Sequence, residues 1–281
     1  MSRLAVRKTY KLYIGGAFPR SESGRSYAVT SSKGDFLANA SRASRKDVRD
    51  AVVAARKAFP GWSGATAYNR GQILYRIAEM LEGRRAQFAE ELGGGKRSAL
   101  EAVDAAVDRL VWYAGWSDKI ASVHGTANPV AGPYFNLSSP EPTGVVGVIA
   151  PADPLLGLVS VVAPVIVTGN TCVVVAAEGA PLPSITLAEV LATSDLPGGV
   201  VNVLTGHQRE LAPWLAAHMD VNGLDLTGVD DTELALSCEQ AAAENLKRVL
   251  RPAAEDWRAA PGLGRMTRFL ETKTVWHPMG V

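Results

Sequence analysis

The chain is expected to adopt an α/β fold built on a doubly wound parallel sheet, and three features of the sequence lead there. Beyond Asn136, β-prone runs (Val145 to Ala150, Cys172 to Ala176, Val200 to Leu204, Gly223 to Leu226) alternate with helical segments at Leu155 to Val167 and Ser184 to Thr193. That order implies parallel strands joined by crossover helices. The runs are continuously apolar instead of alternating, as strands covered on both faces require. The part of the chain before these runs reads as mostly helical. Together these describe a Rossmann-like sheet.

Taken in order, the elements have local reasons. Leu12-Tyr13-Ile14, the Gly15-Gly16 turn and Arg25 to Thr30 read as an antiparallel edge hairpin. Ser44-Arg45-Lys46-Asp47 has the form of a capping box with Asp in place of Glu, and Val48, Ala51, Val52, Ala55 and Phe59 then recur at helical spacing. Pro60-Gly61 is expected to end that helix. A second helix runs from Arg70 to Glu82 with Ile73, Leu74, Ile77 and Leu81 on one face, and others cover Arg84 to Leu92, Ala99 to Trp116 and Leu234 to Leu246. The Pro/Gly-rich stretch Pro252 to Gly264 reads as a loose joint.

Composition narrows the function classes. The chain has 281 residues, 47% of them hydrophobic and 20% charged, enough to bury a substantial core. Its 29 Lys+Arg nearly balance 28 Asp+Glu and are scattered, so no nucleic-acid partner is expected. Met1 to Tyr13 lacks a signal-peptide core of about 7–15 apolar residues, and no apolar run of about 18 residues follows. No membrane partner is expected, and a cytoplasmic location is the default. Cys172 and Cys238 form neither a disulfide framework nor a spaced metal pair, and His124, His207, His218 and His277 have no companions that would complete a triad or a metal set. No metal site is expected.

Four segments are similar, in the same order, to those of the aldehyde dehydrogenase superfamily: Tyr113-Ala114-Gly115-Trp116-Ser117-Asp118-Lys119-Ile120, Gly144-Val145-Val146-Gly147-Val148-Ile149-Ala150-Pro151, Thr168-Gly169-Asn170-Thr171, and Leu196-Pro197-Gly198-Gly199-Val200-Val201-Asn202-Val203. The similarity runs from Lys11 to about Val249 and again from Gly262 to Trp276. In that family a catalytic domain carrying a cysteine nucleophile lies between the two stretches. Here Asn245-Leu246-Lys247-Arg248-Val249 is followed after a short connection by Phe269-Leu270-Glu271-Thr272-Lys273-Thr274-Val275-Trp276, so the resemblance implies that the catalytic domain is absent.

The family's chemistry uses a thiolate, a glutamate base, an asparagine amide as oxyanion donor, and NAD(P) as hydride acceptor. The resemblance supplies none of the first three here. Cys172 and Cys238 read as packing, and the Leu-Glu-Leu-Gly-Gly run that carries the family's glutamate is replaced by Leu250-Arg251-Pro252-Ala253, with Glu255 no substitute. Where active relatives have Pro-Trp-Asn-Phe-Pro, the chain reads Pro151-Ala152-Asp153-Pro154-Leu155, and Asp153, the nearest vestige, cannot donate an N–H to an oxyanion. Its alternative reading is a helix N-cap. The resemblance places the cofactor around Ile149, Pro151, Glu178, Gly206, Thr227 and Gly228, a site that is eroded. Val175 replaces the lysine of the family's Lys-Pro-x-Glu run, Val229 stands where a serine is expected, and Asp230-Asp231 set carboxylates at a helix start where a pyrophosphate would sit. Weak or absent NAD or NADP binding is expected.

By the same resemblance, Val123 to Thr143 and Arg268 to His277 match the two halves of an oligomerisation arm. The chain thus divides into a Rossmann-like unit over residues 1–122 and 144–250 and an arm over residues 123–143 and 262–281. The function implied is a catalytically inactive structural or regulatory subunit that joins a full-length aldehyde dehydrogenase subunit, itself, or both. A stand-alone NAD(P)-dependent oxidoreductase acting on aldehydes and a non-functional remnant are the alternatives.

Overall fold

The computed structural model describes residues 8–280. The expectations placed on Met1 to Arg7 and on Val281 lie outside the described residues. In chain order the elements are β1 (Thr9–Tyr10), β2 (Ser26–Thr30), β3 (Phe36–Ser41), α1 (Arg45–Gly64), α2 (Ala67–Gly83), α3 (Arg85–Leu92), α4 (Lys96–Ala114), α5 (Ile120–His124), β4 (Thr126–Asn128), β5 (Tyr134–Pro142), β6 (Val145–Ile149) and α6 (Leu156–Val167). They continue with β7 (Thr171–Val175), α7 (Leu182–Leu191), β8 (Val201–Leu204), α8 (Gln208–Ala217), β9 (Gly223–Asp225), α9 (Thr232–Ala243), β10 (Arg248–Leu250), α10 (Gly264–Thr267) and β11 (Leu270–Pro278).

The apolar runs form a five-stranded, wholly parallel sheet in the order β10-β9-β6-β7-β8. Every residue of β6, β7 and β8 is buried, and burying each Val or Leu side chain is worth roughly 1.5–3 kcal/mol. Alternate residues serve two layers. Val146, Val148, Cys172 and Val174 face a core built with α2, α4, α6 and α7, while Val145, Ile149, Val173 and Val175 face α1, α8 and α9. The sheet is therefore doubly wound, as the apolar pattern requires, and the strand order reverses between β6 and β9.

Three local expectations are corrected. The antiparallel hairpin joins β2 to β3, with β1 parallel beside β3, and not Leu12 to Ile14 with Arg25 to Thr30. Leu12 to Ile14 instead follows β8, where Tyr13 exchanges backbone hydrogen bonds of 2.9 and 2.7 Å with Val203. Helix α1 does not stop at Pro60-Gly61 but runs through it to Gly64. Its last turn is held by Trp62, 2% exposed, whose indole N–H donates to the Ile166 carbonyl at 2.8 Å; that anchor outweighs the backbone bond a proline removes. Finally, Pro252 to Gly264 is not loose, because two arginines, the buried Arg109 and the half-buried Arg265, fasten it to α4 and to the sheet edge.

Other readings hold in detail. Ser44 Oγ accepts from the N–H groups of Lys46 and Asp47, and Asp47 Oδ2 accepts from the Ser44 N–H at 2.7 Å, completing the capping box. A separate antiparallel sheet, order β11-β5-β4, pairs Leu270 with Pro142 at one end and Pro278 with Tyr134 at the other. Among the described residues no helix is long and apolar enough to cross a membrane.

Candidate cofactor crevice

In open α/β sheets, ligands sit outside the carboxyl ends of the strands, at the point where strand order reverses. The backbone ladder brings most of the sequence-derived residues to that edge. Ala150 N–H donates to the Val175 carbonyl at 2.9 Å, Ala176 N–H to Leu204 at 2.9 Å, and Gly228 N–H to Ile149 at 3.0 Å. Ile149, Pro151, Asp153, Thr227 and Gly228 thus gather at the ends of β6 and β9, and Glu178 and Gly206 at the ends of β7 and β8. Gly228 has a steric reason to be glycine, since a Cβ there would lie 1.9 Å from the Ala150 carbonyl oxygen. The chain can cross β6 this closely only with no side chain.

Three carboxylates on this edge, those of Asp153, Glu178 and Asp231, are already engaged by the chain itself. Asp153 Oδ1 accepts from the N–H groups of Leu155 at 3.2 Å and Gly157 at 3.0 Å, at the start of α6. Glu178 Oε1 pairs with His207 Nδ1 at 2.5 Å, and its Oε2 accepts from the Gln208 N–H at 3.2 Å, the first residue of α8. The His207 ring also lies 5.8 Å from that of Tyr27, measured between centroids. Asp231 caps α9 by accepting from Glu233 and Leu234 N–H groups, and pairs with Arg209. Three helix N-termini that could face an anion are therefore each supplied with a carboxylate from within.

Thr227 belongs to a network that the sequence did not announce. Its hydroxyl donates to Asp225 Oδ1 at 2.5 Å and accepts from Arg265 Nη2 at 3.1 Å. Arg265 Nη1 lies 2.9 Å from Asp225 Oδ2, and its other amino group pairs with Glu255. Asp225 is 1% exposed. Burial holds its carboxyl above the usual range, an effect that Arg265 and Thr227 offset only in part. The visible cue was Asp225 itself, a charge inside the apolar run Gly223 to Leu226. Glu255, set aside as a base, here serves as a partner of Arg265.

Neither cysteine is poised as a nucleophile. Burial drives the Cys172 thiol far above its usual range and the Cys238 thiol up to about 11, so neither is a thiolate near neutral pH. Among the described residues no group of three or more His, Cys, Asp or Glu side chains could hold a metal ion.

A doubly wound sheet with its switch point between β6 and β9 and glycine crossing at Gly228 defines the class as an open, doubly wound α/β protein. Comparison makes this specific. The aldehyde dehydrogenase family model matches residues 18–251. Retinal dehydrogenase 2 of Mus musculus is 36% identical over 254 residues, covering 86% of this chain and 48% of that protein. Among solved structures, the NAD+ complex of aldehyde dehydrogenase from Bacillus cereus superposes with a TM-score of 0.80 at 29% identity, over 86% of this chain and 50% of that one. The HpcC structure from Thermus thermophilus gives 0.81 at 32% identity, over 86% and 47%. The chain belongs to the aldehyde dehydrogenase family, and it spans about half the length of the curated relatives it matches.

Proposed function

We propose that this chain is a catalytically inactive member of the family that serves as a structural or regulatory subunit beside a complete aldehyde dehydrogenase. The carrying observation is a contrast within the molecule. The β5/β11 pair keeps an unbroken register from Leu270 to Pro278 and shows Tyr134, Phe135, Leu137, Val275 and Trp276 to solvent, while the strand-end crevice is satisfied by its own charges. In this reading residues 123–143 and 262–281 are an arm on a Rossmann-like unit of residues 1–122 and 144–250. By the same resemblance the thiolate and the glutamate base belong to the part of the relatives not spanned here, and the oxyanion-donor position, which is spanned, holds Asp153.

A dinucleotide does not fit the residues as they stand. Glu178 is held by His207 and Gln208, the starts of α8 and α9 are capped by carboxylates, and Thr227 is bonded to Arg265. No hydride-transfer step is therefore assigned to this chain. Retention of Glu178 at the end of β7, together with the NAD+ complex of the Bacillus cereus relative, favours the second reading, a stand-alone NAD(P)-dependent oxidoreductase. Aldehyde turnover and NAD calorimetry on the isolated chain separate the two. The subunit reading predicts no turnover and a dissociation constant well above micromolar, the level that corresponds to roughly 8 kcal/mol. Turnover that an inactivating change in this chain abolishes would establish the oxidoreductase instead.

A further inference from the structure

On leaving β10 at Leu250 the chain does not turn away from the sheet. It crosses the carboxyl edge at the switch point, reaches the start of α6, and returns through α10 to β11. Three contacts build this path. The Trp257 indole packs against Gly157 in the first turn of α6, where a Cβ would stand 3.3 Å from Trp257 Cε2 and 2.9 Å from both Asp153 Cβ and Pro151 Cγ. The helix start is thus glycine at the place where the indole enters.

Arg109 on α4, 9% exposed, makes the second contact. Its Nη1 donates to Ser160 Oγ at 2.8 Å, and its Nη2 donates to the carbonyls of Trp257 at 2.7 Å and Ala259 at 3.0 Å. A largely buried guanidinium thus gives two hydrogen bonds to the backbone of this segment and one to α6. Arg265 makes the third. It bonds Asp225 and Thr227 at the end of β9, pairs with Glu255 earlier in the segment, and lies 5.2 Å from the Trp257 ring centroid. A carboxylate as buried as Asp225 is costly without its cation, so the segment is bound to the strand end by charge as well as by packing.

We propose that residues Glu255 to Arg265 form an intrachain plug, an autoinhibitory contact that shuts the crevice between β6 and β9 against a dinucleotide, with Asp225 as its latch. The guanidinium of Arg265 and the indole of Trp257 take up the edge where an anionic, planar ligand would approach. This inference stands on the fold and does not depend on the subunit role.

The test uses the full chain labelled with fluorotryptophan, the Trp257 resonance being assigned with Trp257→Phe. The latch is released by combining Asp225→Asn, Glu255→Gln and Arg265→Gln, which removes the charges as a set and leaves none orphaned. In the unaltered chain the Trp257 resonance is expected away from the free-fluorotryptophan position, and in the triple variant at it. NAD calorimetry is expected to show the triple variant binding at least about tenfold more tightly than the unaltered chain, about 1.4 kcal/mol. If the triple variant does not fold, Trp257→Ala, which removes no charge, is read by calorimetry alone with the same tenfold expectation. A Trp257 resonance at the free position in the unaltered chain overturns the proposal. So does a released plug, or Trp257→Ala, with unchanged NAD affinity.

Discussion

Asp225 is the residue on which the strand-end edge turns. Its carboxyl sits at the end of an interior strand with 1% exposure, and its burial penalty is offset in part by Arg265 and Thr227. Removing one partner of such a pair typically costs about 3–5 kcal/mol because the other charge is left uncompensated, whereas replacing both with groups of similar shape is often neutral. Arg265→Met should therefore lower stability by about that amount, and Arg265→Met combined with Asp225→Leu should recover most of it. Urea titration of the three chains measures this; a single change that costs no more than the double would mean that the pair is not coupled. At this scale the sequence was uneven. The Ser44/Asp47 capping box was legible because its spacing is local, and Gly228 because it belongs to a motif. The Asp225–Arg265 pair was not, since its members lie on separate elements and nothing local marks the second.

At the scale of elements, the core strands and crossover helices could be read directly because burial on both faces leaves a continuous apolar run. The boundaries that failed did so where a distant contact decided the matter. Pro60 would end an isolated helix, but Trp62 finds Ile166 on α6 and carries α1 onward to Gly64. Leu12 to Ile14 had strand composition yet took Val203 as partner, while Phe36 to Ser41 took the hairpin position. Two acidic side chains connect elements in a way that acid should expose. Arg248 on β10 donates two hydrogen bonds to Glu271 on β11, of 2.6 and 2.5 Å, and Glu210 on α8 receives Arg42 and Arg25 from the hairpin region. Those hydrogen bonds hold both carboxyls below the usual glutamate value of 4.5. A depressed folded value means that the stabilisation is present above the unfolded value and is lost as pH falls through the folded one. Stability should accordingly decline on acidification below about pH 4.5, and Glu210→Gln with Glu271→Gln should flatten that decline while changing little of the slope near neutrality. Urea midpoints followed across the acid range test it, and identical slopes for both chains would refute it.

For the molecule as a whole, the fold class and family followed from the sequence, and the candidate site did so only in part. Ile149, Pro151, Asp153, Glu178, Gly206, Thr227 and Gly228 could be placed along one edge because parallel strands bring their carboxyl ends together. What could not be read was that each polar member would be answered by a neighbour from the same chain: Glu178 by His207, Thr227 by Arg265, Asp153 by the first turn of α6. These pairings lie in three dimensions and leave no periodic trace. The segment between β10 and β11 looked loose for the same reason, as its Pro/Gly content is a local cue and its arginine anchors are not.

The role proposed for the whole chain rests on the β5/β11 pair serving assembly with a complete family member. An open antiparallel edge recruits another chain through main-chain hydrogen bonds, and Trp276, 57% exposed beside Tyr134, offers an apolar anchor. The bland alternative is that β11 merely completes a local sheet with β5. Size-exclusion chromatography with light scattering distinguishes the two when this chain, and the chain lacking residues 268–281, are each mixed with a complete aldehyde dehydrogenase. The prediction is a mixed species whose mass exceeds that of the partner alone with the intact chain, and separate elution with the truncated chain, whose parallel sheet remains folded by circular dichroism. Co-elution of the truncated chain, or separate elution of the intact one, would rule out the assembly role.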